Sequence, residues 1–184
     1  MAKIFIIGIV ASGKTTLAKQ IAKETGISHH EVDVIVHEKT DQGRRKRSDQ
    51  EQLAVIEEIN EEKSWIIEGT YRKSCDRVLT HADKVIFLDP PLALRKRRIL
   101  TRFVKQVLGI EACHYKPTVK MLKAMYRWTR GFEEDRPQFE TKLATYKDKL
   151  EHCKSFEEAY TVAMDHIEQT DKLVEVTHEY VAGR

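Results

Sequence analysis

Residues Gly8-Ile9-Val10-Ala11-Ser12-Gly13-Lys14-Thr15 place two glycines, a lysine and a hydroxyl at the spacing G-x-x-x-x-G-K-[ST]. Glycines let a backbone wrap closely around an anion, and successive amides at a helix start supply oriented positive dipoles. The flanks agree with that use. Lys3–Ile7 is a short apolar, isoleucine-rich run and reads as a buried strand. Thr15–Glu24 has helical spacing, with Leu17, Ala18, Ile21 and Ala22 on one face and Gly26 as the stop. Strand, glycine-rich turn and helix in this order cradle the phosphates of a nucleoside triphosphate. Lys14 then reaches the β- and γ-phosphates, and the Thr15 hydroxyl holds Mg2+. Gly8, Ala11, Ser12, Gly13, Lys14, Thr15 and Thr16 are therefore the expected nucleotide site, with ATP and Mg2+ as the expected cofactors.

The remaining pattern alternates strands with helices. Val32–Val36 is a short apolar stretch, and Glu38–Arg47 reads as a polar loop. Ser48-Asp49-Gln50-Glu51 forms a capping box that opens a helix to about Glu62. Trp65–Ile67 and Val85–Leu88 are two further apolar strands, the second ended by Pro90-Pro91. Leu92–Leu108 is an arginine-rich helix. Gly109–Pro117 breaks the pattern, and Thr118–Trp128, Pro137–His152 and Phe156–Glu168 read as helices. Leu173–Val176 reads as a last strand. Near-continuously apolar strands separated by helical material specify a parallel sheet covered on both faces, an α/β domain.

At 184 residues the chain fits a single domain able to bury a core without disulfide or metal. Its longest apolar run, Ile4–Ala11, is far short of a bilayer span and leads into the glycine loop, so neither a membrane helix nor a signal peptide is expected. Three scattered cysteines, Cys75, Cys113 and Cys153, form no framework and point to a reducing, cytoplasmic setting. The net charge of +3 hides a concentration: Arg95–Arg130 carries eleven Lys/Arg against one acid, Glu111. A second basic knot is Arg44-Arg45-Lys46-Arg47. Such clusters imply an anionic partner or a solvated helix face.

Several pieces together resemble the small P-loop kinases of the adenylate kinase-like group, and within it the bacterial DNA topology modulation proteins. They are Ile6–Leu17, Asp33, Gly43-Arg44-Arg45, Trp65-Ile66-Ile67-Glu68-Gly69-Thr70-Tyr71-Arg72 and Ile86-Phe87-Leu88-Asp89-Pro90-Pro91, in order over the first hundred residues or so. The resemblance implies a P-loop NTPase three-layer sandwich with a roughly five-stranded parallel sheet and a helical lid near 109–131, hinged at Gly109 and Gly131. It implies phosphoryl transfer from ATP to a small acceptor, a nucleoside or nucleotide. The second reading is a nucleotide-dependent DNA-binding or topology-related regulator with little kinase activity.

Glu68 ends a predicted strand, which puts its carboxylate at the sheet's carboxyl edge beside the phosphate loop, and the resemblance gives it an outer-shell Mg2+ role shared with Asp33. Glutamate stands there in place of the aspartate usual in adenylate kinases, and this with Thr16 argues against AMP as the acceptor. Asp33 orients the acceptor hydroxyl or accepts its proton, or is a plain turn acid. Asp89 is read as structural, closing its strand and capping the next helix. Arg98 and Arg102, spaced i,i+4, share one helix face, and the resemblance implies that they grip phosphate, with Arg95 on that side able to join them. Arg44 and Arg72, from the resembling pieces, and Arg130, on the lid's return with Arg127 and Arg136, are the expected acceptor contacts. Cys113-His114 is too few ligands for zinc. Tyr115, Tyr126, Trp128 and Phe132 interleave with basic residues as in nucleic-acid surfaces, but at helical spacing packing is the favoured role.

Overall fold

The computed structural model describes residues 1–41, 43–110 and 117–182, with side chains up to position 173. The first half runs β1 (Lys3–Ile7), α1 (Lys14–Thr25), β2 (Ser28–Glu31), α2 (Val32–Val36), β3 (His37–Thr40), β4 (Gly43–Lys46), α3 (Asp49–Asn60) and β5 (Trp65–Gly69). The second runs α4 (Cys75–His81), β6 (Lys84–Leu88), α5 (Leu92–Val107), α6 (Val119–Ala144), β7 (Leu150–Cys153) and α7 (Phe156–Ala182). Five strands form one sheet in the order β2-β5-β1-β6-β7, every pair parallel.

Alternation along the strands sorts the core into two layers. Phe5, Ile7, Trp65, Ile67, Val85 and Phe87 pack with Ile35 of α2, Ile56 of α3, Val78 of α4 and Leu143 of α6. Ile4, Ile6, Ile66 and Ile86 pack on the opposite face with Leu17 and Ile21 of α1 and Ala159 and Ala163 of α7. A sheet buried on both sides needs apolar residues at every central position, which is why β1, β5 and β6 are continuous apolar runs. The three-layer α/β sandwich is as the sequence implies. The capping box also forms, the Ser48 hydroxyl accepting from the Glu51 amide while Glu51 accepts from the Ser48 amide.

Four expected elements differ. The polar loop Glu38–Arg47 holds an antiparallel hairpin, β3 with β4, clipped by Arg45 to Glu38 and Glu51. Thr118–Trp128 and Pro137–His152 are not two helices: α6 is continuous through Pro137, and His152 belongs to β7. Phe132 and Phe139 on either side of the proline both pack against Phe87, so tertiary contacts hold the helix across the one lost amide. Leu173–Val176 is helical, because no glycine or proline interrupts α7 from Phe156 to Ala182. Gly131 lies inside α6 rather than between elements, while Glu111, Cys113, His114 and Tyr115 of the expected lid lie outside the described residues.

Candidate functional site

The central strand β1 delivers the glycine loop to the carboxyl edge of the sheet, between β5 and β6, where the strand order changes direction and open α/β sheets bind ligands. Gly8 donates its amide to the Gly69 carbonyl (3.2 Å), and Thr70 Oγ1 donates to the Gly8 carbonyl (3.2 Å). A Cβ at Gly8 would meet Ser12 Oγ at 2.4 Å and the Leu88 carbonyl at 3.0 Å, so only glycine fits. Gly13 caps α1 at φ 104°, a left-handed conformation that favours glycine. No side chain caps α1, and its first turn holds no acid. Its leading amides thus face outward with their dipoles uncompensated, the arrangement an anion fills.

Two charged groups flank this cradle. Thr15 Oγ1 donates to Glu68 Oε1 at 2.8 Å, which joins the helix start to the end of β5. Glu68 is 3% exposed and its Oε2 has no hydrogen-bond partner. Burial pushes its carboxyl up, and the Lys14 charge with the Thr15 hydroxyl only partly offsets this. Lys14 Nζ makes one long hydrogen bond, 3.4 Å to the Ile9 carbonyl. Burial pushes this ammonium down, against the opposing charges of Glu68 and Asp33. Ser12 Oγ is likewise buried without a partner. Several polar groups here have fewer partners than they can take, while the amides and the lysine present positive charge to the same opening.

Beside the cradle, Asp33 on α2 is exposed, and its Oδ1 accepts from Arg72 Nη2 at 2.7 Å. Arg44 on β4 donates to the Asp33 carbonyl (3.2 Å) and contacts His37 Nδ1 (3.1 Å). The hairpin and the segment after β5 are thereby brought together around Asp33. Arg98 of α5 lays its Nη1 on the Ser12 carbonyl (2.7 Å) and close to the Ala11 carbonyl (3.4 Å). Arg102, one turn on, is near enough for its charge to push the Lys14 ammonium down. Thr16 is exposed on α1.

Arg95, Arg136 and Asp89 correct the reading. Arg95 is 1% exposed, donates to the Pro90 carbonyl (3.0 Å) and pairs with Glu133, so it sits in the protein rather than on phosphate. Arg136 makes a two-pronged pair with Asp89 (2.8 and 3.0 Å). Asp89 is structural as expected, but α5 has no side-chain cap, and the carboxylate is instead the centre of an ion-pair group. Arg130 pairs with Glu134 at 3.7 Å and lines a groove between α5 and α6 with Lys96, Lys123, Tyr126 and Arg127, none of them from the loop. Tyr126 donates to the Lys96 carbonyl and Phe132 packs on Phe87, while Trp128 stays half exposed.

Sequence reasoning missed His29, Glu31 and Thr70. One ligand atom each of His29, Glu31 and Glu68 lies within 4.8 Å of the others, the one such group of three among the described residues. The i,i+2 spacing of His29 and Glu31 beside a strand-end carboxylate was the available signal.

No protein-family model and no curated protein matches the chain. Many solved structures share its fold. One is a shikimate kinase from Acinetobacter baumannii in complex with shikimate, 14% identical, covering 94% of each chain at a TM-score of 0.51. A gluconokinase from Sinorhizobium meliloti 1021 is 15% identical, covers 96% of this chain and 97% of its own, and has a TM-score of 0.52. An uncharacterized protein from Eubacterium ventriosum ATCC 27560 is 16% identical, covers 92% and 99%, and has a TM-score of 0.56. The chain has the fold of the P-loop small-molecule kinases.

Proposed function

We propose that the chain is a Mg2+-dependent phosphotransferase that moves the γ-phosphoryl group of ATP to a small acceptor of the nucleoside or nucleotide class. We read it as one domain over residues 1–184 with a lid near 109–131, and place it with the bacterial DNA topology modulation proteins on the sequence pieces they share. The observation that carries the reading is the Thr15–Glu68 hydrogen bond at an uncapped helix start. The site residues fit the cofactor: a buried carboxylate lacks a partner on one oxygen, and the hydroxyl bonded to the other keeps its lone pairs for a cation. Thr15 and Glu68 would hold Mg2+, which when bound neutralises charge on the β- and γ-phosphate oxygens.

The loop amides bind the triphosphate, and Lys14 adds charge at its outer end. Arg98 and Arg102 hold the transferring group from the α5 side. Arg72 engages only Oδ1 of Asp33, leaving Oδ2 to orient an acceptor hydroxyl and take its proton. Arg44 and Arg72 supply positive charge to the acceptor, as does Arg130 if the lid folds over. Ligand likeness supports a hydroxyl acceptor, since the A. baumannii neighbour is described with shikimate. Among the described residues no helix is long and apolar enough to cross a membrane.

ATP with Mg2+ should raise the melting temperature, since a ligand held only by the folded state at 100 times its Kd adds about 2.7 kcal/mol. Lys14→Ala should remove most of that shift and leave the unliganded melt nearly unchanged. No shift with any nucleotide would overturn the phosphate-loop reading. ADP release coupled to a panel of nucleosides, nucleoside monophosphates and small hydroxy acids then identifies the acceptor.

A further inference from the structure

The pairing of β2 with β5 sets Glu31 directly opposite Glu68, and His29 opposite Ile66. Residues two apart on a strand share a face, so His29, Glu31 and Glu68 gather on one side of the sheet. Like charges opposite one another on neighbouring strands repel, and one of these carboxylates is 3% exposed. Such a register needs positive charge between the pair. Lys19 Nζ stands 3.4 Å from Glu31 but its side chain is 62% exposed, and Lys14 makes no salt bridge to either acid among the described residues. Two buried polar atoms in this group have no hydrogen-bond partner, Glu68 Oε2 and His29 Nε2.

We propose that His29, Glu31 and Glu68 form a divalent-cation site that fills without nucleotide and prefers Mn2+, or another cation that accepts nitrogen, to Mg2+. One imidazole and two carboxylates within 4.8 Å can close on a single ion with small side-chain movements. Mg2+ takes oxygen ligands in a strict octahedron and gains little from the imidazole, whereas Mn2+ accepts mixed nitrogen and oxygen donors more readily. The site goes beyond the phosphotransfer reading and shares only Glu68 with it.

The test is a titration of tag-free, nucleotide-free protein with Mn2+, read by the electron paramagnetic resonance signal of the free ion. One Mn2+ per chain is expected, displaced by Mg2+ only at about tenfold or greater excess. His29→Ala and Glu31→Gln should each weaken binding by about tenfold or more, in line with losing one ligand. His30→Ala, on the opposite face of β2, should leave it unchanged. His29→Gln serves as a second variant, and a thermal melt of each variant confirms folding. Binding that appears only with ATP overturns the proposal. So does Mn2+ affinity indifferent to His29. Either result leaves the phosphate-loop reading standing, and a failed ATP melt with intact Mn2+ binding does the reverse.

Discussion

Glu68 and Asp89 stand on either side of β1 at the carboxyl edge of the sheet, 3% and 4% exposed. Their surroundings differ in almost every other respect. Asp89 accepts two bonds from Arg136 and further ones from Lys154 (2.9 Å) and His152 (3.1 Å), with Arg95 behind at 3.8 Å. Burial alone would push its carboxyl up, but these contacts outweigh it and hold the group well below the usual carboxylate range. Glu68 has one hydroxyl donor and an oxygen with none, and burial dominates, pushing its carboxyl up. The first carboxylate is complete within the protein and ties α6, β6 and β7 together. The second keeps one oxygen without a hydrogen-bond partner, which the proposed Mg2+ would fill. Helix α5 serves both regions with arginines three residues apart, Arg95 toward Asp89 and Arg98 toward the loop.

The comparison breaks most visibly at Asp89. Asp89→Ala removes the buried carboxylate shared by Arg136, Lys154 and His152 and should cost about 3 kcal/mol, or roughly ten degrees of melting temperature for a chain this size. The pH dependence has a definite sign. The folded value lies below the unfolded one of about 4, so this stabilisation is full above pH 4 and lost as pH falls further. An Asp89→Ala protein that melts like wild type would show the ion-pair group to be ornamental.

The paired arginines sharpen the contrast. Arg98→Ala should lower kcat by roughly 10²–10³ with little change in the melt, the usual cost of one preorganised charge donor. Arg95→Ala should instead lower the melting temperature, since it removes a buried guanidinium that bridges the Pro90 carbonyl and Glu133. Lys120→Ala, on α6, controls for general positive charge. Equal losses from all three would merge the two regions into one diffuse basic surface.

The smallest effect carries an opposite sign. Glu68→Gln removes a buried charge that the folded chain does not fully compensate, and should gain on the order of 1 kcal/mol near neutral pH while abolishing Mg2+-dependent turnover. A raised folded value means the burial penalty is absent below the unfolded value of about 4 and full above the folded one. The gain should therefore vanish in acid. A loss of stability at neutral pH would show that Glu68 is already satisfied.

How much of this was legible follows from where the polar residues fall. β1, β5 and β6 announce themselves because both faces are buried, and the loop because its chemistry fixes spacing as well as residue type. The edge strands Ser28-His29-His30-Glu31 and Leu150-Glu151-His152-Cys153 carry no apolar run, so in sequence β7 reads as the end of a helix. Their pairing is decided by backbone hydrogen bonds to β5 and β6, a non-local effect. Thr15 with Glu68 could be placed from strand ends alone. The separation of Arg95 from Arg98 could not, since helical spacing says which residues neighbour one another but not which of two neighbours meets the core.

Those polar edges have a consequence for how copies of the chain behave toward each other. The strands most prone to add to a foreign sheet, Lys3–Ile7, Trp65–Gly69 and Lys84–Leu88, are all interior and have both backbone edges paired. The two edge strands of this five-stranded sheet, β2 and β7, are four residues long and carry histidine and glutamate. A short edge with ionisable side chains gives an incoming strand little apolar area and, for another copy of itself, like charge in register. The sheet is thus sealed against its own aggregation at the strands that looked least like strands.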